Sequence, residues 1–274
     1  MFHVQKIDSL DLPELQPYRT MRRQQEHRDA GIFVAEGEKV VRRLLLSNFA
    51  VVSLLIPEKW LADLTPLLDA RPELIHVFLA EKSLLEAMTG FSMYQGLLAL
   101  GKVPPQPTLT ELVERSARPW LFTALDGLSS AENIGALVRN CAGFSAQALI
   151  VGETSPSPFL RRAVRSSMGT IFDLPIVESS NLIQSLQLIK SQGARLVAAH
   201  PHTEQRTLQQ GSLKSDVCII FGSEGYGISP AILAMCDEVL AIPMPPNIDS
   251  LNVGSAAAVF LYEANRQRNK FVSP

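Results

Sequence analysis

The segment from Val239 to Arg268, VLAIPMPPNIDSLNVGSAAAVFLYEANRQR, limits the possible folds of this chain more than any other. Its first four residues predict a short buried strand. The prolines at 243, 245 and 246 must end that strand, because proline donates no hydrogen bond to a sheet. Ser250 is a suitable N-cap for the apolar run that follows. Five consecutive small residues, 254–258, indicate a helix that approaches another backbone closely. We therefore expect a rigid loop and a deeply packed helix to form one wall of a pocket.

Composition favours a compact α/β protein and argues against disorder. The 274 residues are enough for one large domain or two ordinary ones, and 46% of them are hydrophobic. Charged residues make up 19%, below the roughly 25% of an average soluble protein. Because the formal net charge is -2, any binding of nucleic acid must depend on a local basic patch and not on an overall positive field.

Neither a signal peptide nor a membrane-spanning segment is expected. The N-terminus lacks the apolar core of a signal peptide, and no window approaches eighteen apolar residues. Cys141, Cys218 and Cys236 lie singly in apolar contexts, without the spacing of a metal site. We interpret them as small buried side chains of a reduced, cytoplasmic protein that carries no metal.

The first block of the chain, residues 1–103, alternates short strands and helices, which is typical of a small α/β sandwich. It contains no nucleophile–base pair, metal cluster or phosphate-binding loop, so we interpret it as a binding module. A helix predicted from Pro13 to Arg28 carries four arginines against one acid. These arginines are either RNA contacts or a solvated basic helix face: Arg19, Arg22, Arg23 and Arg28.

Prolines at 104, 105, 107 and 119 stiffen the chain after this block and predict a linker over residues 104–118. Residues 119–274 then form a second domain in which strands and helices again alternate. No acid lies between Thr154 and Ile171, so the arginines of that stretch form a second basic patch. The candidate RNA contacts in it are Arg161, Arg162 and Arg165.

Two loops of the second domain carry polar residues just after predicted strands. The first, ENIGALVRN, contains Asn133 and Arg139, for which a capping asparagine and a surface arginine are the alternative. The second, GSEGYGIS, has glycines that permit close backbone approach but lacks the dinucleotide fingerprint and the lysine of a phosphate loop. Its carboxylate, Glu224, would repel phosphates and suits a cationic or hydroxyl-bearing ligand; the alternative is a turn with an exposed glutamate. Such loops lie where open parallel sheets bind ligands.

Together, ENIGALVRN, IIFGSEGYGIS and IPMPPNIDSLNVGSA resemble, in order and spacing, the three motifs of the SpoU (TrmH-like) family of RNA ribose 2′-O-methyltransferases, in the SPOUT superfamily. The last motif, with IPM, SLNV and the terminal Tyr262 and Glu263, is the most specific. FVAEGEKVVRRLL at 33–45 and QGLLAL at 95–100 are similar to a substrate-binding domain of many members, and RSSMGT at 165–170 fits the family's serine–glycine turn. The resemblance covers nearly the whole chain.

The resemblance implies an α/β chain whose C-terminal parallel-sheet domain contains a trefoil knot and binds S-adenosylmethionine, usually as a homodimer. The smaller N-terminal α/β domain would bind RNA in the manner of a ribosomal protein. Knots are so rare that composition could not have indicated one. The pair Pro245–Pro246 replaces a glycine that is common in the family, which affects the expected shape of this loop.

The matching motif positions assign roles to individual residues. The catalytic positions are Asn133, Arg139, Glu224, Ser250 and Asn252. The backbone around Gly222, Ile242 and Leu251 is expected to hold the cofactor, with Ala199 and His200 lining its adenosine side.

These residue types suit the transfer of a sulfonium methyl group to a ribose hydroxyl, which needs in-line alignment and removal of a proton. The family is often given a mechanism in which the arginine at the position of Arg139 accepts that proton. A guanidinium has a pKa above about 12, so an equally suitable role is to hold a phosphate and stabilise the developing alkoxide. The expected substrate is structured RNA, with rRNA favoured over tRNA because of the accessory N-terminal domain. The alternatives are a non-catalytic RNA-binding protein that keeps the scaffold and an α/β enzyme using another nucleotide.

Overall fold

The computed structural model describes residues 1–89, 96–201 and 206–269. The chain groups into two compact units. The first comprises Met1–Pro105 and Phe159–Phe172, and the second comprises Gln106–Pro158 and Asp173–Pro274. The domain boundaries expected from the sequence, with a linker over 104–118, stay a prediction. Part of the expected QGLLAL match, at Gln95, lies outside the described residues.

Strands and helices alternate along the described residues, which confirms the expected α/β class. The strands, numbered β1–β12 in chain order, are Phe2–Lys6, Ile32–Glu36, Val51–Ile56, Ile75–Leu79, Leu98–Lys102, Leu121–Asp126, Ala148–Val151, Ile176–Glu178, Arg195–Ala199, Arg206–Thr207, Val217–Gly222 and Glu238–Ala241. The α-helices, numbered α1–α11, are Gln16–Arg19, Gln24–Asp29, Glu38–Leu46, Leu61–Asp69, Lys82–Thr89, Leu109–Arg115, Ala131–Gly143, Arg161–Ser166, Leu182–Ser191, Pro230–Leu233 and Val253–Gln267. Short 3-10 helices lie at Pro13–Leu15, Glu58–Trp60, Thr170–Phe172 and Leu208–Gln210.

The first unit contains a five-stranded sheet of order β1-β4-β3-β5-β2. Strands β1 and β3 run parallel to β4, whereas β5 runs antiparallel to both β3 and β2. The edge strand β1 was not expected from the sequence, because four of its five residues are exposed and give no buried run. Under this sheet Tyr18 is fully buried and its hydroxyl donates to the carbonyl of Ser53 at 3.0 Å.

The single helix expected from Pro13 to Arg28 is wrong. The stretch forms a 3-10 turn, then α1, then α2, with a turn between the two α-helices. Thr20 follows α1, and its Oγ1 donates to the carbonyl of Gln16 at 3.1 Å. Arg23 has φ -88° and ψ 84°, outside the helical region. Such local side-chain bonds compete with helix continuation, so the four arginines do not share one helix face.

The segment Phe159–Phe172 supplies two rings to an aromatic cluster within the first unit. They lie against Phe33 and Phe49 with ring centroids 5.3 to 6.2 Å apart. Glu36, on the same strand as Phe33, is also buried.

Glu36 corrects the expectation of an unopposed basic patch in this segment. Its carboxylate pairs with Arg161 and accepts from Arg165 Nη1 at 2.7 Å. The partner acid comes from 125 residues earlier in the chain than Arg161, so the local sequence could not reveal it. The side chain of Arg161 is only 11% exposed as a result.

The second unit is built on seven parallel strands in the order β10-β12-β9-β11-β6-β7-β8. Because the strands are parallel, the carboxyl ends of β12, β9, β11 and β6 lie at one edge of the sheet. Helix α6 falls within the region predicted as a linker, and it begins with a capping box between Thr108 and Glu111. Its apolar side chains belong to the core of this unit: Leu109, Leu112 and Val113.

Helix α11 packs closely on α7, as its run of small residues predicts. A Cβ at Gly254 would lie 3.1 Å from that of Ala136, and Asn140 Nδ2 donates to the Gly254 carbonyl at 2.6 Å. The expected N-cap, Ser250, is wrong. Asn252 caps α11 instead, because its Oδ1 accepts from the Gly254 N–H at 2.9 Å.

Within residues 1–89, 96–201 and 206–269, no helix is both long and apolar enough to cross a membrane. Cys141 and Cys218 are buried and Cys236 is half-buried, and all three are free thiols. Burial raises the pKa of Cys141 to about 12, so this side chain stays neutral and acts as a small core residue.

Candidate active site

A cavity of about 480 Å³ opens at the carboxyl edge of the parallel sheet. Its walls come from the ends of β9 and β11, from the residues that follow β9, β11 and β12, and from α11. All five residues expected to hold the cofactor line it: Ala199, His200, Gly222, Ile242 and Leu251. Three of the five expected catalytic residues line it as well: Glu224, Ser250 and Asn252. The structure therefore brings together residues from loops that are far apart in the sequence.

The glycine loop after β11 forms a tight hairpin at the cavity. Ser223 and Gly227 exchange two backbone hydrogen bonds, at 2.9 and 3.0 Å. A Cβ at Gly222 would lie only 2.2 Å from the backbone of Gly227 and Ile228, so no other residue fits there. Beyond the hairpin, the Ser229 N–H donates to Asp126 Oδ2 at 2.6 Å and ties the loop to the end of β6.

Glu224 in this hairpin accepts hydrogen bonds from two residues, Ser129 before α7 and Asn133 in its first turn. Its Oε2 accepts from the N–H and the hydroxyl of Ser129, at 3.1 and 3.0 Å. Its Oε1 accepts from Asn133 Nδ2 at 2.7 Å. Both carboxylate oxygens therefore have donors.

Asn133 and Asn252 extend this contact to the third loop. Asn252 Nδ2 donates to Asn133 Oδ1 at 3.0 Å, while its own Oδ1 caps α11. The alternative reading of Asn133 as a helix cap is excluded, because Ser130 Oγ occupies the N-cap of α7 and accepts from the Asn133 N–H at 3.3 Å. One chain of hydrogen bonds thus joins all three motif loops.

This environment sets the charge state of Glu224. Partial burial acts to raise the pKa of its carboxyl, but the hydrogen bonds from Asn133 and Ser129 outweigh burial and hold the pKa below its ordinary value. The carboxylate is therefore ionised at neutral pH. A strongly hydrogen-bonded carboxylate of low pKa is a poor proton acceptor and a good anchor.

Asn133 and Arg139 are the two expected catalytic residues that do not belong to the cavity lining. Asn133 is joined to the cavity loops by its hydrogen bonds with Glu224 and Asn252. Arg139 is exposed on α7, and its guanidinium makes no ion pair or hydrogen bond with the described residues. Within one chain, Arg139 is therefore exposed to solvent and lies outside the cavity lining.

Comparisons with known proteins agree on the kind of molecule. The model of the SpoU rRNA Methylase family matches residues 121–262. An uncharacterized tRNA/rRNA methyltransferase of Mycobacterium bovis is 31% identical over 270 residues, which is 96% of this chain and 92% of the relative. The chain belongs to the SpoU rRNA methylase family. It is a member of a family of RNA methyltransferases, as its motifs predict.

One further relative and two solved structures also align with most of the chain. The 23S rRNA (guanosine-2′-O-)-methyltransferase RlmB of Photorhabdus laumondii is 29% identical over 75% of this chain and 85% of its own length. A crystal structure described as an RNA 2′-O ribose methyltransferase is 26% identical, with a TM-score of 0.80 over 97% of this chain and 100% of that one. An AdoMet-bound rRNA methyltransferase of Sinorhizobium meliloti, 22% identical, has the same fold, with a TM-score of 0.83 and coverage of 98% and 99%.

The cavity of this SpoU-family chain fits S-adenosylmethionine, the cofactor that the sequence predicts. The charged side chains among its described lining residues are Glu224 and Asp249, with no lysine or arginine. Carboxylates favour a sulfonium cation and disfavour a polyphosphate. Apolar walls from Phe221, Ile242 and Leu251 suit a purine ring. No group of three or more potential metal ligands occurs among residues 1–89, 96–201 and 206–269.

The seven arginines expected to contact RNA all lie in the first unit. Six of them are exposed: Arg19, Arg22, Arg23, Arg28, Arg162 and Arg165. Arg23 pairs with Glu26 at 2.9 Å, a surface pair of the kind that contributes little and leaves the cation accessible. Arg161 is the exception, because it is buried against Glu36. Contact of these arginines with RNA stays a prediction.

Sequence reasoning missed two residues that shape the site. Ser129 supplies two donors to Glu224, and Asn140 fixes the first turn of α11 to α7. A signal for Ser129 exists in the paired serines before AENIG, since serine is favoured where a helix begins. Nothing in the local sequence distinguishes Asn140 from a surface asparagine.

Proposed function

We propose that this SpoU-family protein transfers the methyl group of S-adenosylmethionine to a ribose 2′-hydroxyl of structured RNA, rRNA in preference to tRNA. The observation that carries the proposal is the hydrogen-bonded chain Glu224–Asn133–Asn252, which joins the three motif loops beside the cavity. The relative RlmB, a 23S rRNA (guanosine-2′-O-)-methyltransferase, and the RNA 2′-O ribose methyltransferase of similar fold support the reaction class.

The cofactor is S-adenosylmethionine. The backbone around Gly222, Ile242 and Leu251 would hold it, with Ala199 and His200 on the adenosine side. When bound, it supplies an electrophilic methyl group. The protein's part is to keep this group in line with the incoming ribose oxygen, because small misplacements cost large factors in rate.

Glu224, Asn133 and Asn252 act as positioning residues. The two carboxylate oxygens of Glu224 are occupied by donors, so the side chain is not available as a base. Its hydrogen bonds instead hold the glycine loop, the start of α7 and the start of α11 in one arrangement. Ser250, exposed at the cavity beside this chain, is free to orient the ribose.

Arg139 stabilises the alkoxide that develops on the ribose oxygen or holds the adjacent phosphate. It does so in the cavity of a second subunit, because its own chain leaves it exposed and away from the cavity lining. This role needs a homodimer, the assembly that the family resemblance implies. The half-exposed Val259 and Tyr262 of α11 give such a partner an apolar surface.

The remaining expectations complete the proposal. The second unit contains the trefoil knot of the SPOUT superfamily, and the first unit reads the RNA through its exposed arginines. The protein acts in the cytoplasm. None of these functions requires a metal.

The decisive experiment combines a cofactor titration with mapping of the product. The purified protein should bind S-adenosylmethionine or its demethylated product and should bind neither NAD nor ATP. It should then transfer tritiated methyl groups to rRNA from cells that lack the protein, and primer extension should locate one 2′-O-methylated nucleotide. Cofactor binding without transfer to rRNA or tRNA would favour a non-catalytic RNA-binding protein, whereas binding of a nucleotide alone would refute the assignment.

A further inference from the structure

Tyr226 lies in the glycine hairpin and is almost fully exposed. It lines the cavity, and the residue is 98% exposed. Among the large hydrophobic residues described in the structure, the next most exposed aromatic is Tyr262, at 49%. Tyrosine is enriched at interfaces, and here its position at the rim of a binding cavity makes a ligand contact the role to test.

The backbone that carries this ring is held firmly. The Tyr226 N–H donates to Ser223 Oγ at 2.9 Å, inside the hairpin closed by Ser223 and Gly227. Glu224, two residues earlier, is fixed by Ser129 and Asn133. The ring is therefore presented from an ordered loop, and a ligand that binds it need order only two side-chain torsions.

Charge decides what this rim can hold. The charged side chains among the described lining residues are the carboxylates Glu224 and Asp249, which repel phosphate groups. The described lining residues of one chain therefore offer no lysine or arginine to the phosphates of a nucleotide that enters here. The face of an aromatic ring binds a nucleobase without needing a positive charge.

We propose that Tyr226 stacks on a base of the substrate RNA, at or next to the nucleotide whose ribose enters the cavity. The proposal rests on the proposed function and adds the contact that holds the target nucleotide. Every base has a π face, so the contact selects an unpaired, extruded nucleotide and not a particular sequence. Other residues must then recognise which base is present.

Full-length Tyr226→Ala, Tyr226→Phe and Tyr226→Leu proteins test this contact. The probe is deproteinised rRNA from cells that lack the protein, and the readouts are the KM for RNA, kcat and filter binding. Tyr226→Ala should raise the KM for RNA about 5- to 150-fold, the range measured for loss of one stacked base. Tyr226→Phe should stay within about twofold of wild type, because it keeps the ring. Tyr226→Leu should resemble alanine, since it keeps apolar volume but lacks a flat π face.

Salt dependence separates stacking from phosphate contact. The slope of log affinity against log salt should be unchanged in Tyr226→Ala, whereas the matched Arg22→Ala control should reduce it by about one. Affinity for S-adenosylmethionine and the melting temperature should equal those of wild type.

Three results would overturn the proposal. They are an unchanged KM and RNA affinity in Tyr226→Ala, full rescue by leucine, or reduced self-association in sedimentation, which would mean that the ring packs on a second copy. If wild type transfers no methyl group at all, the proposed function fails. Filter binding of the same RNA to wild type and Tyr226→Ala then still shows whether Tyr226 contacts RNA.

Discussion

The carboxylate of Glu224 is required by the direction of the hydrogen bonds around it. The series of hydrogen bonds that joins the three loops has a backbone N–H at each end, that of Ser129 at one end and that of Gly254 at the other. Between them, the two amides of Asn133 and Asn252 each donate toward Glu224 and accept from the other side. If residue 224 donated a bond to either neighbour, two donors would face each other somewhere in the chain, whichever way the amides turned. Only an acceptor with two equivalent oxygens satisfies both ends.

Glu224→Gln should therefore reduce kcat by about 10- to 100-fold, because the three loops no longer hold one arrangement. The expected loss of stability is only about 1 kcal/mol, since the side chain is exposed enough for water to satisfy part of the network. Single-turnover kinetics and urea unfolding measure the two effects. Glu132→Gln, which changes an exposed carboxylate on α7 next to Asn133, is the control and should retain activity. Equal activity in both variants would contradict a positioning role.

The stability that Glu224 contributes also has a defined pH dependence. Its pKa in the folded protein is below its ordinary value, so its contribution is present above the unfolded pKa of about 4.3 and is lost as pH falls through the lower folded pKa. The difference in unfolding free energy between wild type and Glu224→Gln should be constant from pH 6 to 8 and should shrink below about pH 4. Urea midpoints across this range measure it. A difference that grows as the solution becomes acidic would mean that the shift has the opposite sign.

At the scale of the loop, two glycines three residues apart differ completely in what surrounds them. A methyl group at Gly222 would lie 2.2 Å from the backbone of Gly227 and Ile228, whereas one at Gly225 would meet nothing within 4 Å. Gly222→Ala should force the hairpin open, cost about 1–3 kcal/mol and weaken binding of S-adenosylmethionine at least tenfold. Gly225→Ala should change stability by no more than about 0.5 kcal/mol. Calorimetric titration and thermal melting of both variants test this contrast. Equal effects of the two substitutions would mean that the loop rearranges to accommodate a methyl group at residue 222.

The same loops mark how far the sequence could predict the site. Apolar runs such as 217–221 predict central strands, and their order along a parallel sheet predicts which loops meet. The partners of Asn133 are 91 and 119 residues away, so a local pattern could not distinguish it from a helix cap. Strand β1 escaped prediction because its exposed residues lack a buried face. Helix periodicity does not reveal the break after α1, where Thr20 bonds back to Gln16 and Arg23 leaves the helical region.

At the scale of the whole chain, Glu36 holds together residues from distant parts of the sequence. It is buried, and the Arg161 that it pairs with is nearly so. Glu36→Gln should destabilise the protein by about 2–4 kcal/mol, because it leaves a buried guanidinium without a counter-ion. The matched Glu26→Gln control breaks an exposed pair with Arg23 and should cost at most about 0.5 kcal/mol. Urea unfolding compares the two, and equal costs would mean that solvent already screens the Glu36 pair.

Because the first unit is assembled from two distant segments of the chain, a simple truncation is a poor test of its RNA-binding role. A fragment that begins near residue 107 would keep Phe159 and Phe172 but lose the rings of Phe33 and Phe49, as well as Glu36. Loss of RNA binding in such a fragment could reflect exposed apolar rings instead of missing contacts. Substitution of the exposed arginines Arg19, Arg22 and Arg23 in the full chain avoids this, and each lost phosphate contact should reduce the salt slope by up to about one.

The exposed position of Arg139 leads to a prediction about the assembly. Arg139→Ala should abolish turnover while leaving cofactor affinity and melting temperature nearly unchanged, because the side chain is exposed and makes no hydrogen bond or ion pair with the described residues of its own chain. Arg139→Lys should restore little activity, since lysine lacks the planar fork. Activity and calorimetry of the two purified variants measure this. Full activity in Arg139→Ala would remove the residue from the mechanism.

Mixing experiments decide which subunit Arg139 serves. Leu251→Asp places a charge on the cavity wall and should disable the cofactor site of its own chain. If sites are shared, random pairing of the Arg139→Ala and Leu251→Asp chains makes half of the dimers mixed, each with one intact site, and restores about a quarter of wild-type activity per chain. Sites built within single chains would stay inactive in every mixture, because each chain then carries a disabled site. Differently tagged chains, co-expressed and purified through both tags, give the mixed dimer alone, and one intact site of its two should then give about half of wild-type activity. An inactive doubly tagged dimer would place Arg139 and the cofactor in the same subunit.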